Sequence, residues 1–86
     1  MILDIINEKG LHARASAKFV EVCEHYDATA MVSKDGETAN GDSIMGLLML
    51  AASKGTQIDV TVEGPESEQL MSALNALVTN YFGEGR

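Results

Sequence analysis

Apolar and polar residues recur along this chain with two different periods, and the points where the period switches mark out its elements. Gln57 to Glu63 (QIDVTVE) is the clearest strand: Ile58, Val60 and Val62 share one face, Asp59 and Thr61 the other, wet one. Met1 to Asn7 (MILDIIN) reads as a first strand with Leu3 and Ile5 on one face. In ATAMVSK, Ala28, Ala30 and Val32 turn inward; Asp35-Gly36 suits a hairpin, since both central positions favour positive φ, and Glu37 to Asn40 returns as a short edge strand. Helical spacing starts at Ala15. Ala15, Phe19, Val22, Cys23 and Tyr26 fall on one stripe, with Lys18, Glu21 and His25 on the opposite side.

A second apolar segment, IMGLLMLAAS, follows Gly41-Asp42-Ser43. It is expected to be a helix with Ser43 as N-cap and Gly55 as its left-handed C-terminal cap. Gly64-Pro65 opens a third, with Glu66 and Glu68 in the first turn, Leu70, Leu74, Leu77, Val78 and Tyr81 as the buried stripe, and Gly83 at its end. The order is βαββαβα. Four strands with one polar face each need cover on the other face alone. The expected fold is therefore α+β: a two-layer open-faced sandwich, with a four-stranded antiparallel sheet and three helices on one face. With 86 residues there is room for one core, so residues 1–86 are read as a single domain.

Charge narrows the function classes. The net charge is −7, from 13 acids and 6 bases, which argues against a nucleic-acid or anionic-membrane binder. The bases are unevenly spread: Lys9, Arg14 and Lys18 all lie within six residues of His12. The single cysteine, Cys23, has no disulfide partner and no metal-ligand companion, which fits a reducing cytoplasm. No apolar run approaches the ~20 residues of a membrane span, and the N-terminus has no basic region followed by an apolar one. The expectation is a cytoplasmic chain without membrane insertion, monomeric by default, and without metal or cofactor.

The candidate chemistry lies in GLHARASAKF, Gly10 to Phe19. His12 sits in the last loop positions before the first helix, where backbone N–H groups lack intrahelical partners and, with the positive end of the dipole, favour an anion. Arg14 adds a planar guanidinium that binds phosphate oxygens in a bidentate way, and small Ala13, Ala15 and Ser16 leave the approach open. Nearby positive charge holds the imidazole in its neutral, nucleophilic form. No general base for water, Gly-rich nucleotide loop or metal-ligand set is evident, so the arrangement lacks what hydrolysis needs, and a phosphoryl group could be accepted here and handed on. Spacing alone favours an ordinary surface role for His12, since a loop histidine beside an arginine is common. His25, near the end of the first helix with Glu21 one turn back, reads as structural.

On a helical wheel the second apolar segment places Ile44, Met45, Leu48 and Met49 on one side and Leu47 and Leu50 on the other. A short helix on a sheet buries one side. The other is either covered by loops or exposed to partners, and the adaptable methionines favour the second reading.

GLHARASAKF resembles the active-site motif of the HPr family, the phosphocarrier proteins of the bacterial phosphoenolpyruvate-dependent phosphotransferase system. The likeness extends to the strand before the motif, the KDG hairpin, GDSIMGLLMLAASKGTQI and the helix after EGPES. It implies that His12 is phosphorylated at Nδ1, receives its phosphoryl group from Enzyme I and passes it to an EIIA-type domain, and that Arg14 stabilises the phosphate. Such a protein is a carrier, a covalent phosphohistidine intermediate, and not a free-standing enzyme. The likeness also implies that Ile44, Met45 and Leu48 dock partners, and that Ser43 matches the serine modified by HPr kinase/phosphorylase. One departure stands out. Sugar-transport HPr proteins usually carry proline where this chain has Ala15, and the HARASAK form is more similar to the nitrogen-related branch, NPr, and to HPr-type proteins of some proteobacteria. The alternative is accordingly a nitrogen-related regulatory module in which His12 phosphorylation is mainly a signal.

Overall fold

The computed structural model describes all residues, Met1–Arg86. The strands are β1 (Ile2–Asp4), β2 (Thr29–Lys34), β3 (Glu37–Asn40) and β4 (Gln57–Glu63); the helices are α1 (Ala13–Glu24), α2 (Ile44–Met49) and α3 (Ser67–Thr79), with a 3-10 turn over Tyr81–Gly83. They follow one another as βαββαβα, and the sheet order is β1-β4-β2-β3 with every pair antiparallel. The register puts Leu3 opposite Ile58, Val32 opposite both Val60 and Ala39, and Ala30 opposite Val62. These inward positions meet Ala15, Phe19, Leu47, Leu70, Leu74 and Val78 from the three helices in one core. The other sheet face is open to solvent, as the polar alternation of β4 requires, and leaves Ile2 and Met31 exposed.

Helix α1 buries Ala15, Phe19 and Cys23 as its spacing predicts, but Ser16 and Val20 are buried too, while Val22 and Tyr26 only lean on the rim of the core. Burial, helped by Asp42 and Glu24, pushes the Cys23 thiol up to about 11, so it stays protonated and behaves as a small apolar side chain.

Strand β1 is shorter than the Met1–Asn7 reading and α1 begins at Ala13 rather than Ala15; beyond these, three boundaries differ from the sequence reading. Helix α2 stops at Met49, not at Gly55: Leu50 is the C-cap and Ala51 takes the left-handed conformation, φ +53°. The chain is pulled out of the helix because the Leu11 N–H donates to the Ala52 carbonyl at 2.8 Å, a partner remote in sequence. Gly55 instead turns the chain into β4, its N–H donating to the Ile5 carbonyl at 2.8 Å. Glu66 is the N-cap of α3 and not part of its first turn. Its carboxylate accepts from the Asp27 N–H at 2.7 Å, and its own N–H donates to the Asp27 carbonyl at 3.0 Å, clipping α3 to the loop before β2.

The third difference bears on function. Tyr81 does not continue the buried stripe of α3. It lies beyond the helix, exposed, at φ +57°, and Phe82 at φ +52° is fully buried in its place. Two adjacent non-glycine residues in the left-handed region cost roughly 1–3 kcal/mol each. Complete burial of a phenylalanine side chain, about 1.5–3 kcal/mol, offsets much of that. The result is a reversal that sends the chain's last residues back across the start of α1.

Candidate functional site

Asn7 lies on the same inward alternation as Leu3 and Ile5, but it is polar and wholly buried. Its Nδ2 donates to the Gly10 carbonyl at 2.8 Å and to Glu84 Oε1 at 2.9 Å. The first bond closes the turn out of β1, reinforced by the Gly10 N–H donating to the Asn7 carbonyl at 3.1 Å. Gly10 sits at φ +64°, and a Cβ on it would lie 2.5 Å from the Ala52 carbonyl oxygen. Glycine is therefore required both for the turn and for the close approach of two backbones. Together with the bond from Leu11 to Ala52, this seats the loop against the segment leaving α2.

The loop ends at His12, the N-cap residue of α1, with extended backbone and no hydrogen bond from its side chain to the helix. The first intrahelical bond runs from the Ser16 N–H to the His12 carbonyl at 2.8 Å. The N–H groups of Ala13, Arg14 and Ala15 thus precede the ladder and give this end of α1 its positive potential. The imidazole is about a quarter exposed, its side chain at 26%. It lines a recess of 370 Å³ together with Glu8, Lys9, Arg14, Lys18, Glu84 and Arg86. Arg14 is exposed and forms no ion pair, so its guanidinium is free for an incoming anion.

Lys18 is not on a purely solvated face. Its ammonium donates to the Phe82 carbonyl at 2.6 Å, fastening the C-terminal reversal to α1. That reversal delivers Glu84, whose Oε2 accepts a hydrogen bond from His12 Nε2 while Oε1 is held by Asn7. A carboxylate from the far end of the chain thus stands beside the histidine, in addition to the cations that lie near it in sequence. Burial works to raise the Glu84 carboxyl, but the bonds from Asn7 and His12 and the positive charges of His12 and Lys9 outweigh it and hold it below its ordinary 4.5. The recess still carries more positive than negative side chains, with Lys9, Arg14, Lys18 and Arg86 against Glu8 and Glu84.

The remaining predicted residues lie on α2. Ser43 is its N-cap, the hydroxyl accepting from the Gly46 N–H at 3.0 Å. Ile44, Met45 and Met49 are exposed, Met45 at 68% and Met49 at 72%, with Leu48 half-buried, while Leu47 and Leu50 enter the core. None of these α2 residues lines the recess. Asn7 and Glu84 escaped the sequence reading. Asn7 had a signal, a polar residue at an inward strand position; Glu84 had none, because its contact with His12 spans 72 residues. His25 is exposed at the C-cap of α1, far along the helix from this recess.

A partly exposed imidazole at a helix N-terminus, in a cation-rich recess on an open-faced sandwich, defines a small domain suited to carrying an anion on a histidine. Residues 2–80 match the family model described as the PTS HPr component phosphorylation site. The chain is 47% identical over 83 residues to the phosphocarrier protein HPr of Neisseria meningitidis, covering 96% of this chain and 93% of that one. It is 37% identical over 83 residues to the phosphocarrier protein NPr of Escherichia coli, covering 95% and 92%. Among solved structures, HPr of Thermoanaerobacter tengcongensis superposes with a TM-score of 0.93 at 36% identity, covering 98% of this chain and 94% of that one. The chain belongs to the HPr family and is a phosphocarrier protein of the phosphotransferase system, a carrier and not an enzyme in its own right. Its sequence matches HPr and NPr proteins of proteobacteria alike.

Proposed function

We propose that His12 is the residue that carries the phosphoryl group, taking it from Enzyme I and passing it to an EIIA-type domain. The observation that carries this reading is the position of the imidazole: partly exposed, in the recess at the start of α1, with Arg14 unpaired beside it. The incoming PO₃ group meets a guanidinium and free helix N–H groups, which stabilise its charge without a metal or cofactor. His25 is remote from the recess and has no part in transfer. Ile44, Met45 and Leu48 form the docking patch for both partners; adaptable methionine suits a surface that must fit two of them in turn. Ser43 is the site of regulatory phosphorylation by HPr kinase/phosphorylase. A phosphate there keeps an acceptor for the Gly46 N–H, and so keeps α2 capped, while placing about two negative charges beside Ile44 and Met45. The protein acts in the cytoplasm as a monomer and binds no nucleic acid.

The 37% identity to an NPr protein and the alanine at position 15 favour a second reading, in which the transferred phosphoryl group serves nitrogen-related regulation and mainly reports a signal. Parallel transfer assays with a sugar-type and a nitrogen-type EIIA acceptor separate the two by which one is labelled faster.

Incubation with phosphoenolpyruvate and Enzyme I tests the central assignment. The expected product is an acid-labile, base-stable modification that is lost in His12→Ala and retained in His25→Ala. Label on His25, or none on the wild-type chain, would overturn it.

A further inference from the structure

Helix α1 places two cations on the recess, Arg14 and Lys18, and only the second has a fixed position. We propose that Lys18 is a phosphoryl-binding residue, a second cationic ligand whose ammonium donates to the group carried on His12. The inference rests on His12 being the phosphoryl acceptor and adds a ligand for what it carries.

Arg14 and Lys18 stand one turn apart on the same face of α1, and helical side chains lean toward the N-terminus, which brings Lys18 back toward His12. Like charges at this spacing repel, so the pair gains nothing for the helix by itself; an anion held between them reverses that. The Lys18 ammonium has three N–H donors. The Phe82 carbonyl takes one at 2.6 Å, and no carboxylate pairs with the ammonium, so two donors and the whole charge are left for the recess. Gly83 keeps the space beside it clear, since a Cβ there would stand 3.1 Å from Nζ. The other two cations of the recess are held less firmly. Lys9 is exposed, and Arg86 reaches only Glu8, at 3.8 Å. Half-buried Lys18 has already lost its rotamer freedom on folding, so binding an anion costs it little more.

A phosphoryl group on the imidazole spreads its negative charge over three terminal oxygens. A guanidinium binds two of them side by side and leaves the third for an ammonium, through a short, charge-assisted bond. Lys18 keeps all its protons and acts by charge and donation alone. Its contact with phosphoryl oxygens exists only in the phosphorylated chain. It therefore favours that form over the free one and shifts the transfer equilibrium toward this protein.

Two variants of the full chain test this. Lys18→Gln removes the charge but keeps an amide that can donate to the Phe82 carbonyl; Lys18→Arg keeps the charge. With phosphoenolpyruvate and Enzyme I, the equilibrium constant for transfer to the chain should fall about fivefold in Lys18→Gln, the scale of one charge-assisted bond in a partly exposed site, and stay near the wild-type value in Lys18→Arg. The ³¹P NMR titration of the phosphohistidine should move to higher pH in Lys18→Gln, because loss of a nearby cation disfavours the more negative form, and should not move in Lys18→Arg. A lysine that only anchored the C-terminal turn would leave that titration in place. A wild-type titration in Lys18→Gln, or equal losses in both variants, would overturn the proposal. Absence of label on wild-type His12 would instead sink the acceptor assignment. Inorganic phosphate titrated into the unmodified chain, followed by the amide shifts of the first turn of α1, needs no partner protein and still decides the role of Lys18. Weaker binding to Lys18→Gln is expected, and equal affinity would overturn it.

Discussion

The Lys18 ammonium donates to the Phe82 carbonyl at 2.6 Å, joining the middle of α1 to the far end of the chain. That bond and the buried Phe82 ring hold a turn that has two successive left-handed residues, Tyr81 and Phe82, and the turn in turn sets Glu84 against His12. The site is thus assembled from both ends of the sequence.

Phe82→Ala removes a fully buried aromatic ring from the core and is expected to lower unfolding free energy by about 3–5 kcal/mol, measured by urea titration. Phe82→Leu, which keeps most of the buried volume, should lose much less. A loss below ~1 kcal/mol for the alanine variant would mean that Phe82 does not anchor the reversal.

Gly10→Ala should be more damaging than Gly36→Ala although both residues have positive φ. At Gly36 nothing lies within 4 Å, so the cost is the left-handed backbone alone, roughly 1–2 kcal/mol. At Gly10 the added methyl meets backbone of Ala52 and Ser53 and must displace the loop that carries His12. Gly10→Ala should therefore slow phosphoryl acceptance as well as destabilise the fold, whereas Gly36→Ala should leave acceptance at the wild-type rate.

Ser43→Ala removes the N-cap of α2 and should cost ~1 kcal/mol in thermal or chemical unfolding. Ser43→Asp preserves a capping oxygen, so its stability should stay near that of the wild type while its acceptance from Enzyme I slows. A wild-type rate would count against an electrostatic switch at this position.

The pH dependence of stability should carry the signature of Glu84. Its carboxyl lies below 4.5 in the folded chain, so the unfolded chain binds that proton more tightly. The stabilisation it contributes is complete above the unfolded value and is lost as pH falls through the folded one. Unfolding free energy plotted against pH should accordingly fall less steeply on the acid side in Glu84→Gln. Identical acid limbs would show that the carboxylate gains nothing from Asn7 and His12 on folding.

Local features of this fold were legible from sequence and remote ones were not. The alternation of Ile58, Val60 and Val62, the cap at Ser43 and the division of α2 into exposed Met45 and buried Leu47 each depend on residues within a turn or two. The end of α2 is not legible in the spacing, because the Leu11 N–H claims the Ala52 carbonyl, a partner remote in sequence. The spacing of Tyr81 from Leu74 and Val78 fits the α3 stripe, and nothing local signals that Phe82 takes the buried place. His12 and Arg14 stood out because a glycine turn, a helix start and a cluster of cations coincide within a few residues. Glu84 belongs to the same site only through tertiary structure, and an inward-pointing Asn7 was the single trace of it in the strand pattern.

The most direct measurement is the position of the phosphoryl group itself, read from one-bond ³¹P–¹⁵N coupling in the ¹⁵N-labelled chain after reaction with phosphoenolpyruvate and Enzyme I. The account predicts one coupling, to Nδ1 of His12, and an uncoupled, protonated Nε2. Coupling to Nε2, to His25 or to no ring nitrogen at all would contradict it.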